Sequence, residues 1–269
     1  MQFTITNDIV MHYQTAGRQD GQRLVFINSL GTDFRIWNDV IAGLEKDYAC
    51  LCYDKRGHGL TDLGLVLQDD SYSIDLLTDD LHALLQNIGW DSDITLIGLS
   101  VGGLIAQNYA YRFKDKVSRL VLMDTAAKIG TEQSWNERIN TIKAHGIAAI
   151  GEQIMVRWLT DDFKNNQQAA YQAYRNMLER TPKIAYCATC AALRDGDLRE
   201  QTAKLSLPAL IIAGAQDGST PPELVKETAQ LIKGARFELI DACGHLPCIE
   251  QPQATIELLK SFLSEEVHG

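Results

Sequence analysis

Residues 94–103 read I-T-L-I-G-L-S-V-G-G, and this run decides how the rest of the chain is read. Ile94 to Leu99 is apolar or β-branched apart from Gly98, the composition of a strand buried on both faces. Leu104 to Tyr111 then suits a helix. A G-x-S-x-G between a buried strand and a helix, here Gly98 to Gly102, is the pattern of a nucleophile elbow. The turn is so tight that side chains at 98 and 102 would collide with neighbouring backbone, and it lifts Ser100 clear of the sheet. Ser100 also falls at a helix N-terminus, where unpaired N–H groups favour developing negative charge. The pattern predicts a serine hydrolase with Ser100 as nucleophile.

Outward from the elbow, the chain alternates strands and helices. Phe3 to Thr6 and Ile9 to Thr15 read as a hairpin around Asn7-Asp8. Leu24 to Asn28 and Tyr48 to Tyr53 read as strands, with a helix over Thr32 to Leu44 between them, capped by Thr32 or Asp33. Ser73 to Ile88 carries a helical stripe ahead of the elbow strand. Val117 to Met123, Ala209 to Ala213 and Arg236 to Ile240 complete eight strands, with helices over Pro222 to Ile232 and Gln251 to Leu263. This order predicts an α/β fold with an eight-stranded, mostly parallel sheet covered on both faces. Thr125 to Leu205 breaks the alternation, with helical stripes such as Trp135-Ile139-Ile142 and Tyr171-Tyr174-Met177-Leu178. The expected organisation is a core of residues 1–124 and 206–269, with a helical cap, 125–205, inserted after the sixth strand. Ligands in open α/β sheets bind outside the carboxyl ends of the strands, so such a cap would roof the site.

A serine nucleophile needs a base, and the base needs an orienting acid. In hydrolases with the elbow the order along the chain is Ser, Asp or Glu, then His. Asp217, just past the strand ending at Ala213, and His245, between the last strand and the last helix, complete that order. Asp124, after the strand ending at Met123, is the rival acid. The oxyanion hole of such a site uses the N–H after the nucleophile and one from the loop after an earlier strand. Here these are Val101 and a donor within Asn28-Ser29-Leu30-Gly31, with Leu30 favoured. His58, in Gly57-His58-Gly59, suits a structural turn, and His12, His82, His145 and His268 are weaker candidates. Cys187-x-x-Cys190 lacks a second pair and Cys243 and Cys248 lack a fourth ligand, so neither predicts a metal site.

The 269 residues are 45% hydrophobic and 22% charged, ordinary for a globular chain. The net charge of -10 and a pI near 5.0 argue against nucleic acid and anionic membranes as partners. No signal peptide or membrane-spanning run is evident. Six cysteines in a chain of this length do not form a disulfide framework, so a cytoplasmic protein is expected.

These residues together resemble the α/β-hydrolase fold superfamily and, more narrowly, the 3-oxoadipate enol-lactonases. The resemblance lies in Phe26 to Asp33 through Trp37, Tyr53 to Leu60, Gly98-Leu99-Ser100, Asp124 to Gly130 with Trp135, Arg175 to Leu178, Asp217 to Glu223, and Gly244 to Cys248. Asn28-Ser29 stands where many relatives carry His-Gly before the oxyanion donor. Departures are small, with Val101 where methionine or leucine is common and Thr61 for a frequent serine. The resemblance implies hydrolysis of 3-oxoadipate enol-lactone to 3-oxoadipate, in the β-ketoadipate pathway of aromatic catabolism, with no metal or organic cofactor. The substrate is a small anionic lactone, and a chain this acidic must supply a local cation for its carboxylate. Arg138 is the candidate, one helical turn after Trp135, with both facing one pocket beside Ser29. Arg35, Lys128 and Arg175 are rivals. Competing readings are a carboxylesterase or another lactonase, a perhydrolase, and a non-catalytic small-molecule receptor. The oligomeric state is not readable from the sequence.

Overall fold

The protein is described by a computed structural model over residues 1–65, 72–90 and 92–265; His268 lies outside the described residues. Eight strands form one sheet: β1 (Gln2–Thr6), β2 (Ile9–Gly17), β3 (Arg23–Ile27), β4 (Ala49–Tyr53), β5 (Ile94–Leu99), β6 (Val117–Met123), β7 (Ala209–Gly214) and β8 (Arg236–Ile240). The spatial order is β1-β2-β4-β3-β5-β6-β7-β8, with β2 antiparallel to both of its neighbours and every pairing from β4 onward parallel. The hairpin turns on Asn7 and Asp8, both in the left-handed region at φ 49° and 61°, which these two residue types tolerate and the twist of a two-residue hairpin demands.

The core helices are α1 (Asn38–Leu44), α2 (Ile74–Asn87) and α3 (Val101–Arg112). Between β6 and β7 come α4 (Glu132–His145), α5 (Ala148–Trp158), α6 (Asp161–Asn166), α7 (Gln168–Glu179), α8 (Lys183–Asp195) and α9 (Arg199–Thr202). The chain finishes through α10 (Pro222–Leu231), α11 (Pro247–Glu250) and α12 (Pro252–Leu263). The eight-stranded, mostly parallel sheet is thus the expected one. The helix expected over Thr32 to Leu44 is divided: Phe34–Trp37 is a 3₁₀ turn, and the α-helix begins only at Asn38. Asp33 caps the turn by accepting from Arg35 N–H, and Phe34 N–H donates to Asp54 Oδ1 at 2.9 Å, so the first turn is drawn toward β4 before the α-helix starts.

Two elements, β5 and α3, place the elbow. β5 is buried along its whole length, and it lies between β3 and β6. α3 leaves it at once and is buried from Val101 through Ala110, an unusual depth for a helix that reflects its small residues at Gly102, Gly103 and Ala106. A Cβ on Gly102 would fall inside the van der Waals surface of the Ile27 carbonyl at the end of β3, and one on Gly98 would strike the Gly102 carbonyl. Above the sheet, α4 turns the buried stripe Trp135, Ile139 and Ile142 toward α8. Its N-terminus is fixed by a reciprocal cap between Thr131 and Ser134. Among the described residues no helix is long and apolar enough to cross a membrane.

The contact at Gly102 is with backbone and cannot be relieved by a side-chain rotation. Gly102→Ala is therefore expected to cost about 1–3 kcal/mol of stability, measured as a lower urea midpoint at unchanged slope.

Candidate active site

Ser100 stands between β5 and α3 with φ 57° and ψ −121°, a conformation that costs a non-glycine residue of order 1–3 kcal/mol and persists only where its surroundings over-determine it. Those surroundings are explicit. Ser100 N–H donates to Met123 O at 3.0 Å, its own carbonyl accepts from Gly103 N–H at 2.8 Å, and Thr125 Oγ1 donates to the same carbonyl at 2.6 Å. The side chain opens into a cavity of about 350 Å³. The floor is formed by Ser29, Leu30, Ser219, Thr220 and His245 from the core; the roof comes chiefly from α4 and α5.

His245 lies in the turn before α11 and is 1% exposed. Its Nδ1 is 2.8 Å from Asp217 Oδ2, and because a carboxylate only accepts, Nδ1 carries the hydrogen. Nε2 then keeps its lone pair, the form a general base requires. Asp217 is anchored by four donors: Ser219 N–H at 2.6 Å and Thr220 N–H at 3.1 Å to Oδ1, and Thr220 Oγ1 at 2.6 Å and His245 to Oδ2. Burial alone would push its carboxyl up. His245, Thr220 and Ser219 overcome that and hold it below the usual carboxylate value, so it is ionised at neutral pH. Asp124, the rival acid, is also buried here, with Oδ1 accepting from Gly214 N–H at 2.7 Å.

The loop expected to supply the second oxyanion donor is braced from behind. Asn28 Nδ2 donates to the Thr32 carbonyl, and Thr32 Oγ1 donates to Ser29 O at 2.8 Å. Gly31, at φ 73°, donates its N–H to His58 Nε2 at 3.1 Å. Lys55, wholly buried, donates Nζ to Ser29 O at 2.8 Å. Among the described residues, neither Leu30 N–H nor Val101 N–H meets a protein acceptor. Both residues border the cavity or the elbow, which leaves two donors of the kind that binds an oxyanion. His58 has the structural place expected of it. Its Nδ1–H faces Arg56 O at 3.1 Å, and burial, with Lys55 nearby, keeps the ring neutral.

Of the cations expected to meet a carboxylate, Arg138 lines the cavity, with its guanidinium carbon 4.8 Å over the Trp135 ring. Burial pushes the phenol of Tyr186 up, and the positive charge of Arg138 beside it opposes the shift. Arg35 is paired with Asp33, Lys128 donates to Arg194 O, and Arg175 is paired with Glu152 and Glu179; none of the three borders the cavity. Sequence reasoning missed Arg157, which does. Its signal was present: Ile150, Gln153, Ile154, Arg157 and Trp158 recur at helical spacing along α5 and all line the cavity. His12 and His82 lie elsewhere, the first against Asp54 and the second stacked on Phe113. Cys187 and Cys190 are buried within α8.

An elbow serine after β5 and a histidine–carboxylate pair past the ends of β7 and β8, under a helical roof on this sheet, define an α/β-hydrolase. A family model described as "Serine aminopeptidase, S33" matches residues 22–252. The 3-oxoadipate enol-lactonase 2 of Acinetobacter baylyi is 33% identical over 92% of this chain and 90% of its own length. The 3-oxoadipate enol-lactonase 1 of the same organism is 34% identical over 93% and 91%. The crystal structure of the enol-lactonase from Burkholderia xenovorans LB400 superimposes with a TM-score of 0.92 at 32% identity, covering 98% of this chain and all of that one. The chain belongs to the 3-oxoadipate enol-lactonase family of α/β-hydrolases, and it is a hydrolase.

Lys55 offers a check on the bracing of the loop. Burial brings its ammonium down to about 7, against the pull of Asp54 and Asp33. Between that value and about 10.4, its ordinary one, the unfolded chain binds more protons than the folded protein, so this group makes stability rise with pH. Lys55→Met is expected to remove that rise, measured by urea unfolding at pH 7, 8 and 9.

Proposed function

We propose that the protein hydrolyses 3-oxoadipate enol-lactone to 3-oxoadipate through an acyl-enzyme, with Ser100, His245 and Asp217 as its triad. The observation that carries this reading is the covered cavity lined together by the elbow serine, the Asp217-oriented His245, Arg138 and Arg157. The likeness to enol-lactonases over more than nine-tenths of the chain, cap included, supports the choice of lactone.

His245 Nε2 takes the hydroxyl proton of Ser100 as its oxygen attacks the lactone carbonyl. Negative charge gathers on the carbonyl oxygen, facing the N–H groups of Leu30 and Val101; losing one such donor costs about a hundred- to a thousandfold in rate. As the tetrahedral adduct collapses, His245 gives its proton to the departing ring oxygen, which leaves as an enol, a good leaving group that tautomerises to the ketone while the other end stays on Ser100. His245 then activates a water that releases the acid. Asp217 holds the imidazole in the Nδ1–H tautomer and stabilises the imidazolium of each adduct. Arg138 takes the substrate carboxylate, with the Trp135 ring holding the guanidinium in place and Ser29 beside it on the cavity floor. Residues 125–205 act as the cap that keeps this chemistry away from bulk water, and no metal or organic cofactor takes part. The six buried cysteines, none in a disulfide, support a reducing compartment, the cytoplasm, where aromatic catabolism by the β-ketoadipate pathway would draw on this step.

Turnover of the enol-lactone, followed by loss of its ultraviolet absorbance beside nitrophenyl esters, tests the substrate. The lactone is expected to give the higher kcat/KM, and a clear preference for the esters would make the protein a carboxylesterase. Ser100→Ala is expected to abolish turnover while leaving the circular dichroism spectrum unchanged. Arg138→Ala is expected to raise KM for the lactone by about ten- to a hundredfold, the worth of a charge-assisted hydrogen bond, with a much smaller effect on neutral esters. An unchanged KM would transfer the carboxylate to Arg157.

A further inference from the structure

Asp124 is not needed by the triad, yet it is the most deeply buried carboxyl beside it. It follows β6 directly and has no exposed surface. Oδ1 accepts from Gly214 N–H, and Oδ2 has no partner among the donors around it. One carboxylate oxygen of Asp124, one of Asp217 and one ring nitrogen of His245 lie within 4.8 Å of one another. Two buried carboxylates this close disfavour each other's ionisation, which favours a proton on one of them. The surroundings decide which keeps the charge. Asp217 receives four donors, whereas Asp124 receives one. A buried oxygen that accepts nothing from the protein is explained if it bears a hydrogen and gives it away.

We propose that Asp124 is a neutral carboxylic acid whose Oδ2 hydrogen is donated to the Asp217 carboxylate, making it a positioning residue that acts on His245 through Asp217. The inference rests on the triad reading. A single negative charge is then shared by the two aspartates and lies on the member that faces the imidazole. The hydrogen bond from Asp124 gives Asp217 a further anchor, so the carboxylate stays in place when the imidazole becomes charged. Burial, and then the charge of Asp217, hold the Asp124 carboxyl well above its usual value, with Glu250 adding to the effect and Gly214 N–H opposing it. The other titratable groups facing it, Cys243 and Cys248, are thiols that burial pushes up, and they stay neutral.

In the unfolded chain Asp124 ionises near the ordinary value of about 3.9. In the folded protein it keeps its proton far above that, so the folded state binds one more proton and stability falls as pH rises. Asp217, held low, titrates beneath this window, and groups common to both proteins cancel in a comparison with a variant.

The test compares wild type with Asp124→Asn, which keeps an acceptor for Gly214 N–H and a donor toward Asp217 but cannot ionise. Urea unfolding at pH 5, 6, 7 and 8 is expected to show the ratio of unfolding constants, wild type over D124N, climbing by up to about tenfold per pH unit. A flat ratio would mean that Asp124 carries no extra proton and would overturn the proposal. The positioning role is read from kcat on the enol-lactone. D124L is expected to lose kcat with little change in KM, and D124N to restore most of that loss. A D124L enzyme with undiminished kcat would overturn that role. If D124L fails to fold, the stability ratio alone decides. Absence of lactone turnover in the wild type would sink the proposed function instead, and would leave the stability ratio untouched.

Discussion

The end of β3 and the start of α3 touch backbone to backbone, and the geometry of the whole site depends on that contact. With no side chain at Gly102, the helix can leave β5 immediately against the Ile27 carbonyl and turn Ser100 into an otherwise costly conformation. The same crossing sets the chain after β3, at Asn28, against the first turn of α3. The strain at Ser100 is held by Met123 O, Thr125 and the buried helix behind it. A weaker core would let the turn relax and would separate nucleophile from donors.

Around this frame the charges are sorted by burial rather than by number. The chain carries a net charge of -10, yet two arginines border the cavity and the acidic groups nearest the serine are tied down. Asp217 directs its charge at four donors, and Lys55 faces a carbonyl behind the oxyanion loop. Cations thus border the cavity from the roof, while fixed backbone N–H groups lie at its floor.

Much of this was legible in the chain because it is local. Gly98 to Gly102 states its own turn, alternating strands and helices state the sheet, and Asp217 and His245 stand just past strand ends, where loops converge. What escaped notice was set by distance along the chain. Lys55 and His58 read as a turn, and only the folded protein shows them holding the carbonyl of Ser29 and the N–H of Gly31. The division of the helix expected over Thr32 to Leu44 depends on Asp54, which no local pattern ties to Phe34. Arg157 was on a readable stripe, but its role comes from the partner surface that α5 meets. That partner surface is long-range information by nature.

The end of α5 couples the roof to the loops beneath it. Its last carbonyl, Trp158 O, accepts from His245 N–H at 2.8 Å, and Arg157 O accepts from Gly218 N–H at 3.2 Å. Glu250 then ties Thr160 to Gly244 N–H through its two oxygens. The loops bearing His245 and Asp217 are therefore stitched to the roof by main-chain bonds on either side. Roof and floor are not interchangeable modules. A different covering grafted at 125 and 205 would carry the right residues to the wrong height unless it also delivered two carbonyls at the positions of 157 and 158.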